Sequence, residues 1–115
     1  MFFLEVVRKM KLTGNQIKYL IAIKKISENK HVVRSVDVAR DLHYSRASVH
    51  KMLESLKDLR LITQEYYGSL KLTPSGSKIA KECLEKYAVL ENALKPVLEI
   101  PEDYNIGICN LIELM

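Results

Sequence analysis

The stretch Ser45-Arg46-Ala47-Ser48-Val49-His50-Lys51-Met52-Leu53-Glu54-Ser55-Leu56 decides the fold. Val49, Met52, Leu53 and Leu56 recur at i, i+3, i+4 and i+7, which lines one face of an α-helix with apolar side chains. Ser45 is a good N-cap, because its hydroxyl oxygen accepts from a free amide of the first turn. The opposite face, near the helix start, carries Arg46, Ala47, His50 and Lys51. Small residues let such a helix approach the floor of a DNA groove. Cations there reach base edges or phosphates. The Ser45 and Ser48 hydroxyls and the first amides of the helix are phosphate holders. A capped surface helix with solvated charges carries the same local signals, so the flanking segments have to decide.

Upstream, Ser35 reads as an N-cap, with Asp37 in the first turn where the helix dipole favours an anion. A short helix over Val36 to Leu42 follows, with Val38, Ala39 and Leu42 as its apolar face. His43-Tyr44 breaks it. A short capped helix, a turn of about three residues and an amphipathic helix make a helix-turn-helix. Further upstream, Thr13 or Asn15 caps a helix bearing Ile17, Leu20, Ile21, Ile23 and Ile26. That stripe is wider than one face needs, and it suggests two packing neighbours, one of them a second subunit. Glu28-Asn29-Lys30 closes the helix, and His31-Val32-Val33-Arg34 is a short β-prone run.

Downstream, Leu59 to Glu65 reads as a strand, Tyr66-Tyr67-Gly68-Ser69 as a turn, and Leu70-Lys71-Leu72 as a second strand. A hairpin directly after the reading helix is a wing. The expected fold is therefore mainly α with a small β-hairpin wing, a winged helix-turn-helix. Tyr66, Tyr67 and Lys71 fall at or near the wing tip. There they touch a DNA backbone, or the tyrosines pack on the hairpin; the residues alone leave both open. Thr73-Pro74 caps and opens a long helix with Ile79, Ala80, Cys83, Leu84, Tyr87, Leu90 and Leu94 inward, ended by Lys95-Pro96. Ile100-Pro101 starts a last helix with Ile108, Leu111, Ile112 and Met115. The reading divides the chain into an N-terminal extension (1–12), the winged helix-turn-helix unit (13–73) and C-terminal helices for dimerisation (74–115).

Charge follows the same division. The 115 residues carry +4 overall. Residues 1–60 hold 13 Lys/Arg against 6 Asp/Glu, a balance of +7, and residues 61–115 hold 5 against 8, a balance of −3. A basic half points to a polyanionic partner, here double-stranded DNA. The candidate contacts are Arg34, Ser45, Arg46, Ala47, Ser48, His50, Lys51, Tyr67 and Lys71. The N-terminal apolar run is too short and too soon interrupted for a membrane span, and it lacks a signal-peptide pattern. A cytoplasmic protein is expected, with Cys83 and Cys109 as free buried thiols rather than a disulfide. No zinc spacing, phosphate loop or nucleophile elbow is present, so no catalysis and no cofactor are expected.

The series Val36-Asp37-Val38-Ala39-Arg40-Asp41-Leu42, Ser45 through Leu56, the hairpin and Leu72-Thr73-Pro74-Ser75-Gly76 resembles the DNA-binding domain of the diphtheria-toxin-repressor and manganese-transport-regulator family. That resemblance implies a homodimeric, metal-dependent repressor. It puts Ala47 and Lys51 at base-facing positions and Ser45, Ser48 and His50 at phosphate-facing ones. The family's metal-ligand positions correspond to Lys18, Ile21, Tyr87, Cys109, Ile112 and Glu113. Only Cys109 keeps a family ligand type in its own place. The family's dimerisation region is expected to be short. The expectation is a sequence-specific homodimeric regulator without the family's metal, in which Lys18 replaces the ion and pairs with Glu113. A solvated surface lysine is the plain alternative for Lys18. A winged helix used for protein–protein contact is the rival function, and it calls for exposed apolar residues on the outer face of the Ser45 helix.

Overall fold

A computed structural model describes residues 12–30, 32–95 and 106–114. The readings for Met1 to Lys11, His31, the Ile100-Pro101 helix start and Met115 lie outside the described residues. The elements run α1 (Gly14–Asn29), α2 (Ser35–Leu42), α3 (Arg46–Asp58), β1 (Ile62–Gln64), β2 (Leu70–Leu72), α4 (Pro74–Leu94) and α5 (Ile106–Leu114). The winged helix-turn-helix expected from the sequence is the observed fold.

Helix α1 organises it. Thr13 is the N-cap in a reciprocal box: its hydroxyl accepts from the Gln16 N–H at 3.2 Å, and the Gln16 side-chain oxygen accepts from the Thr13 N–H at 2.9 Å. Seven successive residues, Ile17 to Ile23, are buried, as only happens when a helix is enclosed on several sides. The covering elements are α2, α4 and α5 of the same chain. The wide apolar stripe is thus met inside the protomer rather than by a second subunit. At Gly14, α5 comes so close that a Cβ would strike the side chain and backbone of Asn110. One cluster, from Leu12 to Ile112, forms the core.

The helix-turn-helix differs from expectation at two ends. Arg34, not Ser35, occupies the N-cap of α2, and Ser35 is the first helical residue. The Asp37 carboxylate closes that end by accepting from the Arg34 N–H at 3.0 Å. The Lys30 ammonium at 2.9 Å holds the Asp37 carboxyl below its ordinary range, with the Arg34 N–H and the Arg40 guanidinium adding to this. The first strand is also shorter than Leu59 to Glu65. Leu59 to Leu61 are used to terminate α3: the Arg60 N–H donates to the Lys57 carbonyl and the Leu61 N–H to the Leu56 carbonyl, with Arg60 left-handed at φ 59°. This is a Schellman end with an arginine where glycine is usual. His43, after α2, has the same φ of 59°. Left-handed residues therefore bracket α3.

The wing is antiparallel, pairing Ile62 with Leu72, Thr63 with Lys71 and Gln64 with Leu70. Gly68, at φ 94°, makes its turn. The β-prone run contributes a single bridge, Val33 to Leu70. Thr73 then locks the wing base to α4. Its N–H donates to the Leu61 carbonyl at 3.0 Å and its hydroxyl to the Arg60 carbonyl at 2.8 Å, while the hydroxyl oxygen accepts from the Gly76 N–H at 3.0 Å. Gly76 abuts the Leu61 carbonyl so closely that no Cβ fits.

These two backbone sites predict substitutions of opposite sign. Gly76→Ala should destabilise by about 1–3 kcal/mol through overpacking against backbone. Arg60→Gly should stabilise by about 0.5–1 kcal/mol by relieving the left-handed penalty. Denaturant unfolding with Ser75→Ala, an exposed neighbour, as control checks both.

Candidate nucleic-acid interface

The buried stripe of α3 is Val49, Leu53 and Leu56, with Met52 half-buried. This anchors the helix from behind and leaves Arg46, Ala47, Ser48, His50 and Lys51 exposed together in its first turns. Ser45 caps the end: its Oγ accepts from the Ser48 N–H at 3.2 Å and its hydroxyl donates to Ser48 Oγ at 2.9 Å. No large apolar side chain is exposed on α3, which is the opposite of what the protein-contact reading asks for. Arg34 is exposed at the start of α2, one residue from the Val33 bridge to the wing.

The wing is held to α3 through polar side chains. Lys57 Nζ donates to Gln64 Oε1 at 2.9 Å, and Gln64 Nε2 donates to the Gly68 carbonyl at 3.3 Å. At the tip the tyrosines do not pack down on the hairpin. Tyr66 is fully exposed and Tyr67 57% exposed, and they meet edge-to-face with centroids 5.6 Å apart. Tyr66 therefore belongs beside Tyr67 among the candidates; the turn glycine two residues on was the signal. Lys71 is exposed, with the Glu65 carboxylate 3.9 Å away.

The six positions matching the family's metal ligands lie on α1, α4 and α5, which pack on one another. Ile21 and Ile112 are fully buried and offer no donor atom, and Tyr87 is buried. Cys109 is fully buried, and burial pushes its thiol up to about 11, with the Lys18 charge pulling slightly the other way. Lys18 is neither paired with Glu113 nor solvated. It is 6% exposed, and its ammonium donates to the Tyr44 hydroxyl oxygen at 3.1 Å and lies 5.1 Å from the Tyr44 ring centroid. The Glu113 carboxylate instead accepts from the Gly14 N–H at 2.8 Å. That amide is one of the unpaired donors at the positive end of the α1 dipole, which is why the carboxylate settles there. Among the described residues, no group of three or more His, Cys, Asp or Glu is arranged to hold a metal. A cation and two isoleucines at these positions do not fit a transition-metal site. Cys83 and Cys109 are free thiols, as expected.

The chain is similar to proteins named HTH-type transcriptional regulator MntR. The one from Listeria monocytogenes is 40% identical over 83 residues, 71% of this chain and 58% of the relative. The transcriptional regulator MntR of Salmonella typhimurium is 38% identical over 69 residues, 60% of this chain and 44% of that protein. The chain thus spans about half the length of the curated relatives it matches. Among solved structures, IdeR of T. acidophilum aligns with a TM-score of 0.66 and 28% identity, covering 85% of this chain and 46% of that one. Staphylococcus aureus MarR, solved with salicylate and kanamycin, aligns at 0.61 and 17% identity over 98% of this chain and 77% of its own, which reflects the fold alone. No family model matches the chain.

The buried thiols predict an alkaline signature. Burial pushes Cys83 to about 12, with Cys109 and Glu82 adding, against an ordinary value of 9.0. Tyr19 rises from 10.0 to about 12, through burial and then Tyr44. All three keep their protons to higher pH in the folded chain than in the unfolded one. Their contribution is complete below pH 9 and is lost as pH climbs towards 11–12. Unfolding free energy should therefore fall with pH from about 9 upward. At pH 8 a thiol reagent should modify neither cysteine until denaturant is added.

Proposed function

We propose that the chain, a winged-helix relative of the diphtheria-toxin repressors and manganese transport regulators, is a sequence-specific DNA-binding transcription regulator that acts as a homodimer without metal control. The carrying observation is the first half of α3. It is capped by Ser45, anchored by Val49, Leu53 and Leu56, and bare of large apolar groups where Arg46, Ala47, Ser48, His50 and Lys51 face solvent. An exposed patch of small and cationic residues at a helix N-terminus suits a major groove and its phosphates. Ala47 and Lys51 face the bases in this reading, and Ser45, Ser48 and His50 the phosphates. Arg46 is assigned to the backbone, and the wing adds Tyr66, Tyr67 and Lys71. The regulator names of the similar proteins point the same way.

The remaining parts of the reading have separate supports. A twofold partner suits two half-sites one helical turn apart. With α1 enclosed, the C-terminal helices offer exposed apolar side chains for that contact among the described residues, at Val89 (68% exposed), Leu111 and Leu114 (82%). Metal-free action is supported by the poor fit of Lys18, Ile21 and Ile112 to any ion. Among the described residues, no helix is long and apolar enough to cross a membrane.

Selection of random duplexes on the purified chain, in EDTA and at two salt concentrations, tests the function. Lys51→Ala should cost about 1–3 kcal/mol on the selected site. Arg46→Ala should weaken all duplexes alike and lower the salt slope by about one unit. Enrichment of no sequence, or binding that disappears with EDTA and returns with one metal, would sink the corresponding part of the proposal. Light scattering at tens of micromolar, a concentration above any useful dimer dissociation constant, should give twice the 13.2 kDa chain mass. A single-chain mass there removes the dimer.

A further inference from the structure

We propose that Lys18 is a resident cation that sets the position of the reading helix, through its contact with the Tyr44 phenol. The inference rests on the DNA-binding reading only for its effect on affinity; the contact itself can be tested in the free protein. An ammonium with 6% exposure is retained in a core only where partners compensate for lost water. Among the described residues no carboxylate pairs with Lys18. It contacts the hydroxyl of Tyr44 at 3.1 Å and the ring of the same residue, 5.1 Å to centroid. The compensation therefore converges on one side chain.

Tyr44 stands between His43, the left-handed residue that ends α2, and Ser45, the N-cap of α3. Whatever fixes Tyr44 fixes the entry of the reading helix. Two further contacts from α1 act on the same helix. The Tyr19 ring meets the Tyr44 ring at 5.8 Å, and Gln16 Nε2 donates to Ser55 Oγ at 2.9 Å. Helix α1 thus grips α3 at its entry and again at its third turn. A methionine at position 18 would fill similar space without desolvating a charge, so stability alone does not call for lysine. What lysine adds is a definite point at which the Tyr44 hydroxyl must sit. Lys18 is a positioning residue, and it occupies one of the places where the metal-dependent family carries a ligand. Here the ordering cation is part of the chain.

The test uses the full chain with Lys18→Met, Tyr44→Phe and the pair together. Three quantities are read: affinity for the selected duplex in EDTA, thermal midpoint, and amide exchange from Ser45 to Lys51 without DNA. Lys18→Met should keep or raise the midpoint, yet weaken the specific duplex at least tenfold and speed exchange at the start of α3. Tyr44→Phe should likewise weaken the duplex and speed exchange, but it should lower the midpoint, because the buried Lys18 ammonium loses its acceptor; in affinity the double variant should be no worse than the worse single one, because both remove one contact. Affinity within threefold of the parent together with unchanged exchange overturns the proposal. So does a fall in the midpoint of Lys18→Met that accounts for the whole of its affinity loss. If the parent selects no duplex, the regulator reading fails, and exchange alone then decides: faster exchange upholds the tie and unchanged exchange overturns it. If Lys18→Met does not fold, Tyr44→Phe, which keeps the ring and its packing, decides by exchange: acceleration confined to Ser45–Lys51 upholds the tie, and none there overturns it.

Discussion

The enclosure of helix Gly14–Asn29 is the constraint on which the other parts of this structure depend. Each buried Ile or Leu on it contributes about 1.5–3 kcal/mol relative to an exposed one. Ile17, Leu20, Ile21 and Ile23 are all buried, so no neighbouring element can leave without exposing several of them. The helices after the wing are thereby part of the same core as the helix-turn-helix. The close approach of α5 at Gly14 and the Glu113 carboxylate on the Gly14 amide join the two ends of the chain's described part at one point.

That enclosure gives α3 a fixed support. Its apolar stripe supplies adhesion, which is not directional. Direction comes from its ends and from polar contacts. Left-handed His43 and Arg60 turn the chain sharply on either side, Ser45 caps the start, and Lys57 and Gln64 carry the connection on to the wing turn. Thr73 uses its N–H and hydroxyl on the carbonyls of Leu61 and Arg60, so the wing base, the end of α3 and the start of α4 form one joint. Gly76 is required there because backbone occupies the space of a side chain.

Charges are handled differently inside and outside. On the surface, Lys30, Asp37 and Arg40 share one exposed network, and such pairs are each worth little. Inside, a single ammonium lies against a phenol, and the nearby thiol of Cys109 stays protonated because burial opposes the thiolate. Of the positions matching the metal ligands of the metal-dependent family, two are here buried isoleucines, one is this cation, and the Glu113 carboxylate caps α1 instead. The outer face of α3, by contrast, keeps its cations in water.

By itself the sequence determined the element order, the helix caps at Ser45 and Thr73, the buried stripe of α3, its cationic outer face and the wing turn. These are local: each follows from spacing of 2 or 3.6 residues or from the hydrogen-bonding habits of Ser, Thr, Pro and Gly. The resemblance to metal-dependent repressors was legible too, as was the loss of their ligands. Only the tertiary structure decided what covers α1, where the strand before the wing begins, that Asp37 rather than Ser35 closes α2, and where Lys18 and Glu113 go. The wide stripe of α1 says that partners exist but not which, because burial by α4 and α5 or by a second chain leaves the same pattern. Lys18 met Tyr44, and Glu113 met an amide, because a charge takes the best polar partner that packing brings within reach, and sequence spacing does not record that distance.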